Sequence, residues 1–188
     1  VIDNTIALSD DDDNNMAGAT VTISSGFNTG DTLAFSDTAN ITGSYNSGTG
    51  VLTLSGTDTV ANYQTALRSI TYLNSLDKPD ITARTVSWSV TDANSDGAGA
   101  ETSSAVTSTI NLSAVNDTPT TTAGATLDYS ENGTAAVVDN TIALSDADDS
   151  NIAAAAVSIS SGFTSGDILT FTDTANITGS YNSSTGVL

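Results

Sequence analysis

The chain has no cysteine and no histidine, and only three basic residues, Arg68, Lys78 and Arg84, among 188. Without thiols or imidazoles there can be no disulfide, no haem ligation and no thiolate or imidazole zinc site. Ser-His-Asp and Cys-His catalysis are excluded with them. Three bases against 22 acids give a formal charge of −19. Phosphate binding needs a basic footprint, so nucleic acid is excluded as a partner and an anionic membrane surface is disfavoured. No run approaches the ~18 apolar residues of a membrane span, so no membrane insertion is expected. Only two Glu, Glu101 and Glu131, are present. No carboxylate lies in an apolar setting that would suit acid–base hydrolysis, and the chain does not read as an enzyme.

What is present is largely present twice. Val1 to Asp10 (VIDNTIALSD) returns as Val137 to Asp146 (VVDNTIALSD), an offset of 136 residues. The match continues without a gap to Val51-Leu52 against Val187-Leu188, and roughly three quarters of the overlapping positions are identical. Solenoid repeats are ~20–50 residues long, so a period of this size is a whole domain. The spacing predicts a repeat over 1–115 that lacks its first strand, a linker over 116–122, and the first half of the next repeat over 123–188. Function is then expected to belong to a tandem array, with neighbouring repeats of the same chain as partners.

Short alternating apolar segments, separated by Thr, Ser, Asn, Asp and Gly, favour strands and turns. Val21 and Ile23 share one face, as do Leu33 and Phe35, and Val86, Trp88 and Val90. Tyr45 and Leu52 flank Asn46-Ser47-Gly48-Thr49-Gly50, which predicts a hairpin. Val106, Ile110, Leu112 and Ala114 predict a long strand with Ser108 in an apolar slot. Val60, Tyr63, Leu67 and Ile70 instead recur at helical spacing, so a short helix is expected over Thr59–Ser69, capped by Asp58 or Thr59. Pro119 removes a backbone donor and extends Thr118, which suits a linker. The fold class is all-β: two packed sheets in a Greek-key β-sandwich, with one short helix, in tandem array.

The acids gather just past strands. One cluster is Asp10, Asp11, Asp12 and Asp13, repeated as Asp146, Asp148 and Asp149. A second is Asp92, Asn94 and Asp96, followed by Gly97. The third is Asn116 with Asp117. Turns can fold such carboxylates and carbonyls toward one point, and calcium takes six to eight oxygen ligands at ~2.3–2.6 Å. Two carboxylates ~5 Å apart repel by roughly 3 kcal/mol at an effective dielectric near 20, a cost that a cation removes. Asx-rich turns that bond their own backbone are the other reading of each loop. Likewise, the overall acidity can be a solvated surface or a set of cation ligands.

The order of these motifs resembles a cadherin domain. Ser130-Glu131-Asn132-Gly133-Thr134 is followed by Leu144-Ser145-Asp146-Ala147-Asp148-Asp149, similar to the cadherin Glu-Asn opening and its Asp-x-Asp loop. Val90-Thr91-Asp92 resembles the later aspartate strand end, and Ala114-Val115-Asn116-Asp117-Thr118-Pro119 resembles the cadherin linker. With the Val60–Tyr72 insertion, the unit looks like the cadherin-like tandem repeats of giant bacterial surface adhesins secreted by type I (RTX-type) systems. The resemblance implies calcium (Ca2+) at a junction built from Asn116, Asp117, Asp146, Asp148 and Asp149. It implies that Asp10, Asp12, Asp13, Asp92 and Asp96 face a preceding domain, and that Glu131 acts toward a following one. The implied role is a calcium-rigidified extracellular spacer at the bacterial cell surface. Two alternatives accompany it: a self-assembling filament subunit that exchanges strands with other copies, and a carbohydrate-binding module using Tyr45 and Tyr181.

Overall fold

The computed structural model describes residues 1–95 and 97–188. It divides into two compact units, Val1–Asn116 and Asp117–Leu188. The first unit contains seven strands and a helix: β1 (Asn15–Ser25), β2 (Asp31–Ala34), β3 (Thr42–Asn46), β4 (Val51–Thr59), α1 (Val60–Ser69), β5 (Thr71–Asn74), β6 (Arg84–Asp92) and β7 (Val106–Ile110). Five strands form one sheet in the order β3-β4-β1-β6-β7, and β2 pairs with β5 in a second. All pairings are antiparallel. The all-β class read from the alternating segments is what the chain adopts.

The strand at the centre, β1, explains the core. Ala19, Val21 and Ile23 are buried in strict alternation, and Met16 is buried three residues before Ala19. The register against both neighbours shifts between Met16 and Gly18, a bulge that turns Met16 to the same face as Ala19. Leu52 and Leu54 from β4 and Val86 and Trp88 from β6 complete that face, and Leu33 and Ile41 are buried in the same cluster. The expected hairpin is β3–β4, with Tyr45 opposite Leu52.

The helix forms where its apolar period predicts. Thr59 caps it, accepting from the Asn62 amide at 3.2 Å. Tyr63, Leu67 and Ile70 are at most 1% exposed, and Leu67 and Ile70 each contribute roughly 1.5–3 kcal/mol of burial. Tyr63 also donates its hydroxyl to the carbonyl of Gly56. Gly56 has φ +121°, and a Cβ there would lie 1.9 Å from the Asn40 carbonyl oxygen.

One expectation needs correction. The strand predicted to run from Val106 to Ala114 stops at Ile110. Its partner β6 begins at Arg84, which pairs with Ile110, so no ladder remains for Leu112 and Ala114. Val106, expected to face inward, is 60% exposed. Ser108 earns its apolar slot by accepting from the Trp88 indole at 2.9 Å and donating to Asp3 at 2.7 Å.

Facing this core is a buried polar group that sequence analysis passed over. Arg84 and Asp31 are fully inaccessible and joined at 2.7 Å through Nε and at 3.3 Å through Nη2. Asp31 also accepts from Tyr72, from the Asn74 side chain and from the Asn28 amide. Burial raises the Asp31 pKa, but Arg84 and these donors outweigh it and hold the carboxyl below its ordinary value. The signal was available: Arg84 lies in the inward phase of Val86 and Trp88.

The second unit has two short strands, β8 (Thr120–Thr122) and β9 (Ala143–Ser145), paired antiparallel. Much of its regularity is in turns that repeat those of the first unit. No helix among the described residues is long and apolar enough to cross a membrane.

Candidate metal centre

Asp10, Asp12 and Asp13 are the one group of three or more possible metal-ligating acids found among the described residues. One carboxylate oxygen from each lies within 4.8 Å of the others. The turn that gathers them is built from its own backbone. Asp10 Oδ1 accepts the amides of Asp13 at 2.8 Å and Asp12 at 3.3 Å. The Asp13 amide is the largest of the influences that hold the Asp10 carboxyl below its ordinary pKa. Asp10 and Asp12 are exposed, and Asp13 is buried at 6% exposure. Two exposed carboxylates and one buried one form a small anionic cup. Gathered carboxylate oxygens are the kind of donor that hard divalent cations take.

Asp13 also ties the cup to the end of β6. Its carboxylate accepts from both the amide and the hydroxyl of Ser95. Asp92 is 7% exposed and is spent on its own loop, accepting from the Asn94 amide at 2.8 Å and the Glu101 amide at 2.6 Å. Asn94 adopts φ +52° and receives the Gly99 amide at 2.6 Å. Asp92 and Asn94 therefore shape the loop that presents Ser95. Asp96 lies outside the described residues. Ser95 was missed by sequence analysis, because a serine after Asp92-Ala93-Asn94 carries no pattern of its own.

In the second unit the same turn recurs. Asp146 Oδ1 accepts the amides of Asp148 at 2.9 Å and Asp149 at 2.7 Å. Here Asp148 accepts the amide of Asp117, so the first residue of that unit is fastened to the acidic loop. Asn116 is exposed and ends the first unit. Glu131 is exposed in a turn and is not among the gathered acids.

Of the described aromatic residues, Tyr129 and Phe171 are the exposed ones, at 57% and 45%. Trp88 is 2% exposed and core. Tyr45 and Tyr181 are half-buried, with hydroxyls bonded to the carbonyls of Asp31 at 2.8 Å and Asp167 at 2.6 Å.

Fold and site together describe an all-β sandwich with a strongly acidic turn at one end of the first unit. Comparison with known proteins adds one relative. The chain is 47% identical over 83 residues to Halomucin of Haloquadratum walsbyi, covering 41% of this chain and 1% of that protein. The chain therefore matches a very small part of a very long polypeptide. No family model and no solved structure matches.

Proposed function

We propose that this chain is a spacer repeat of a very large extracellular surface protein, and that calcium at its acidic turns stiffens the array. The similarity to a stretch amounting to 1% of Halomucin supports a repeat within a giant surface protein. The duplicated sequence and the absence of histidine and cysteine support a mechanical role over a catalytic one. The observation that carries the cation reading is the convergence of Asp10, Asp12 and Asp13 oxygens within 4.8 Å.

The chain's own groups prepare such a site. Backbone amides orient Asp10 and Asp146, so the carboxylates need little reorganisation when a ligand arrives. The Asp117 amide, held by Asp148, brings the start of the linker to the acidic loop. Calcium, when bound, supplies the positive charge that relieves repulsion among these acids. Extracellular sites have constants of ~10⁻⁴–10⁻³ M, and ion levels ten to a hundred times higher stabilise the bound state by about 1.4–2.7 kcal/mol. Where linker residues share the site, that energy holds the linker straight.

The test is small-angle scattering of the full chain with calcium and with chelator, alongside circular dichroism. Chelation is expected to shorten the maximum dimension while strand content persists, and Asp146→Asn with Asp148→Asn to remove the response. The same length in both conditions, with no calcium heat by calorimetry, would falsify the reading.

A further inference from the structure

The strand β3 ends the five-stranded sheet. Its inner side pairs with β4, and no strand lies on its outer side among the described residues. In an antiparallel ladder, alternate residues turn amide and carbonyl away from the partner strand. Gly43 is one of these on β3, because its amide leaves the sheet and donates to Asp37 Oδ1 at 2.8 Å. Tyr45, two residues on, faces the same way. Outward groups of this kind form a template on which another strand can add.

The template is obstructed from within the chain. Phe35 lies so close over Gly43 that a Cβ there would sit 2.9 Å from its ring. Phe35 also packs against the core cluster, which fixes the segment between β2 and β3 beside the edge. From that segment the exposed Asp37 sets its carboxylate at the outer amide. An incoming strand would have to place a carbonyl where this carboxylate stands. The second unit repeats the arrangement: the Gly179 amide donates to Asp173 at 2.9 Å, and a Cβ on Gly179 would sit 3.0 Å from Phe171. That unit includes residues 117–136, and the bond stands in their presence.

A repeated chain has a particular need for such an obstruction. Thr42–Ser47 (TGSYNS) recurs as Thr178–Ser183 without a change. Copies joined in one array meet at an effective concentration on the order of millimolar. Identical edge strands also match themselves. Turned antiparallel about Ser44, Gly43 of one copy meets Tyr45 of the other, and their outward amides and carbonyls pair.

We infer that Asp37, positioned by Phe35, is a guard residue that keeps β3 from pairing with β3 of a further copy. Its carboxylate occupies the Gly43 amide, and two copies approaching edge to edge bring two such carboxylates together. A charge on a sheet edge costs an isolated unit little and opposes edge-to-edge pairing strongly. The guard is independent of the acidic turn, since Asp37 is not among the gathered acids.

The chain has no cysteine, so a single introduced thiol reports the contact. In the antiparallel pair Ser44 lies opposite Ser44 of the second copy at a non-hydrogen-bonded site. Cα atoms there are about 4.5 Å apart, within the ~4.4–6.8 Å that a disulfide spans. The full chain with Ser44→Cys is expected to oxidise slowly to dimer. Adding Asp37→Ala should accelerate this about tenfold, equivalent to roughly 1.4 kcal/mol of barrier. Asp37→Asn keeps an oxygen for the Gly43 amide and loses the charge, so its rate should fall between the two. It also serves as the folded variant if Asp37→Ala loses the fold, with Trp88 emission reporting which. Ser47→Cys places an exposed thiol in the turn after β3, and its dimerisation should not respond to Asp37. Equal Ser44→Cys rates with and without Asp37 replaced, in variants with native Trp88 emission, overturn the inference. So does an acceleration as large for Ser47→Cys as for Ser44→Cys.

Discussion

Replacing Arg84 by Met tests whether the first unit depends on its buried ion pair. Asp31 and Arg84 have no solvent access, so removal of the guanidinium strands a carboxylate with Tyr72, Asn74 and the Asn28 amide as its remaining donors. Breaking one partner of a buried pair costs ~3–5 kcal/mol. Three surviving donors place the expected loss near the lower end, about 3 kcal/mol. For a unit of this size that lowers Tm by roughly 10 °C. Arg84→Met with Asp31→Asn should recover about half the loss, since the neutral amide keeps several bonds and strands no charge. Trp88 is the sole tryptophan and is 2% exposed within the first unit, so its emission shift on heating reports this unit alone. A single-variant loss below about 1 kcal/mol, or a double variant less stable than the single, refutes the reasoning.

Three further outcomes follow from the geometry. Gly56→Ala should destabilise the first unit by more than about 3 kcal/mol by thermal denaturation, because a Cβ would sit 1.9 Å from the Asn40 carbonyl oxygen at φ +121°. Bonds from the Thr5 and Ser108 hydroxyls and the Thr5 amide hold Asp3 down to about 2 from its ordinary 3.8. A folded-state pKa below the unfolded value means the stabilisation is present above the ordinary value and lost as pH falls from about 4 to 2. Asp3→Asn should flatten that limb of a Tm-against-pH curve followed by Trp88 emission. Asp13→Ala leaves Ser95 without its acceptor, and should lower stability in chelator by about 1 kcal/mol while abolishing any calcium-dependent gain in Tm.

The elements most legible in the sequence were those whose period is carried by apolar side chains. β6 and α1 were readable because Val86, Trp88, Tyr63, Leu67 and Ile70 follow one face without interruption. The end of β7 was not, since it depends on where its partner β6 begins, a tertiary fact. The bulge at Gly18 was hidden for a related reason: Met16 breaks the phase of Ala19 and Val21, and only pairing on both sides shows why. At the acidic turn the grouping of Asp10, Asp12 and Asp13 was readable from local spacing. Its anchor Ser95 was not, being 82 residues from Asp13 in sequence.

The two copies of the Tyr45 corner bear on how such a chain is made. Tyr181 and Asp167, Asn182 with Ser184 and Gly186, Thr174 with Ile177, and Asp173 with Gly179 reproduce the bonds of Tyr45, Asn46, Thr38 and Asp37. Each of these bonds joins residues at most 14 positions apart, as between Tyr181 and Asp167. A corner written so locally can close as soon as its own residues leave the ribosome, before any distant strand is needed.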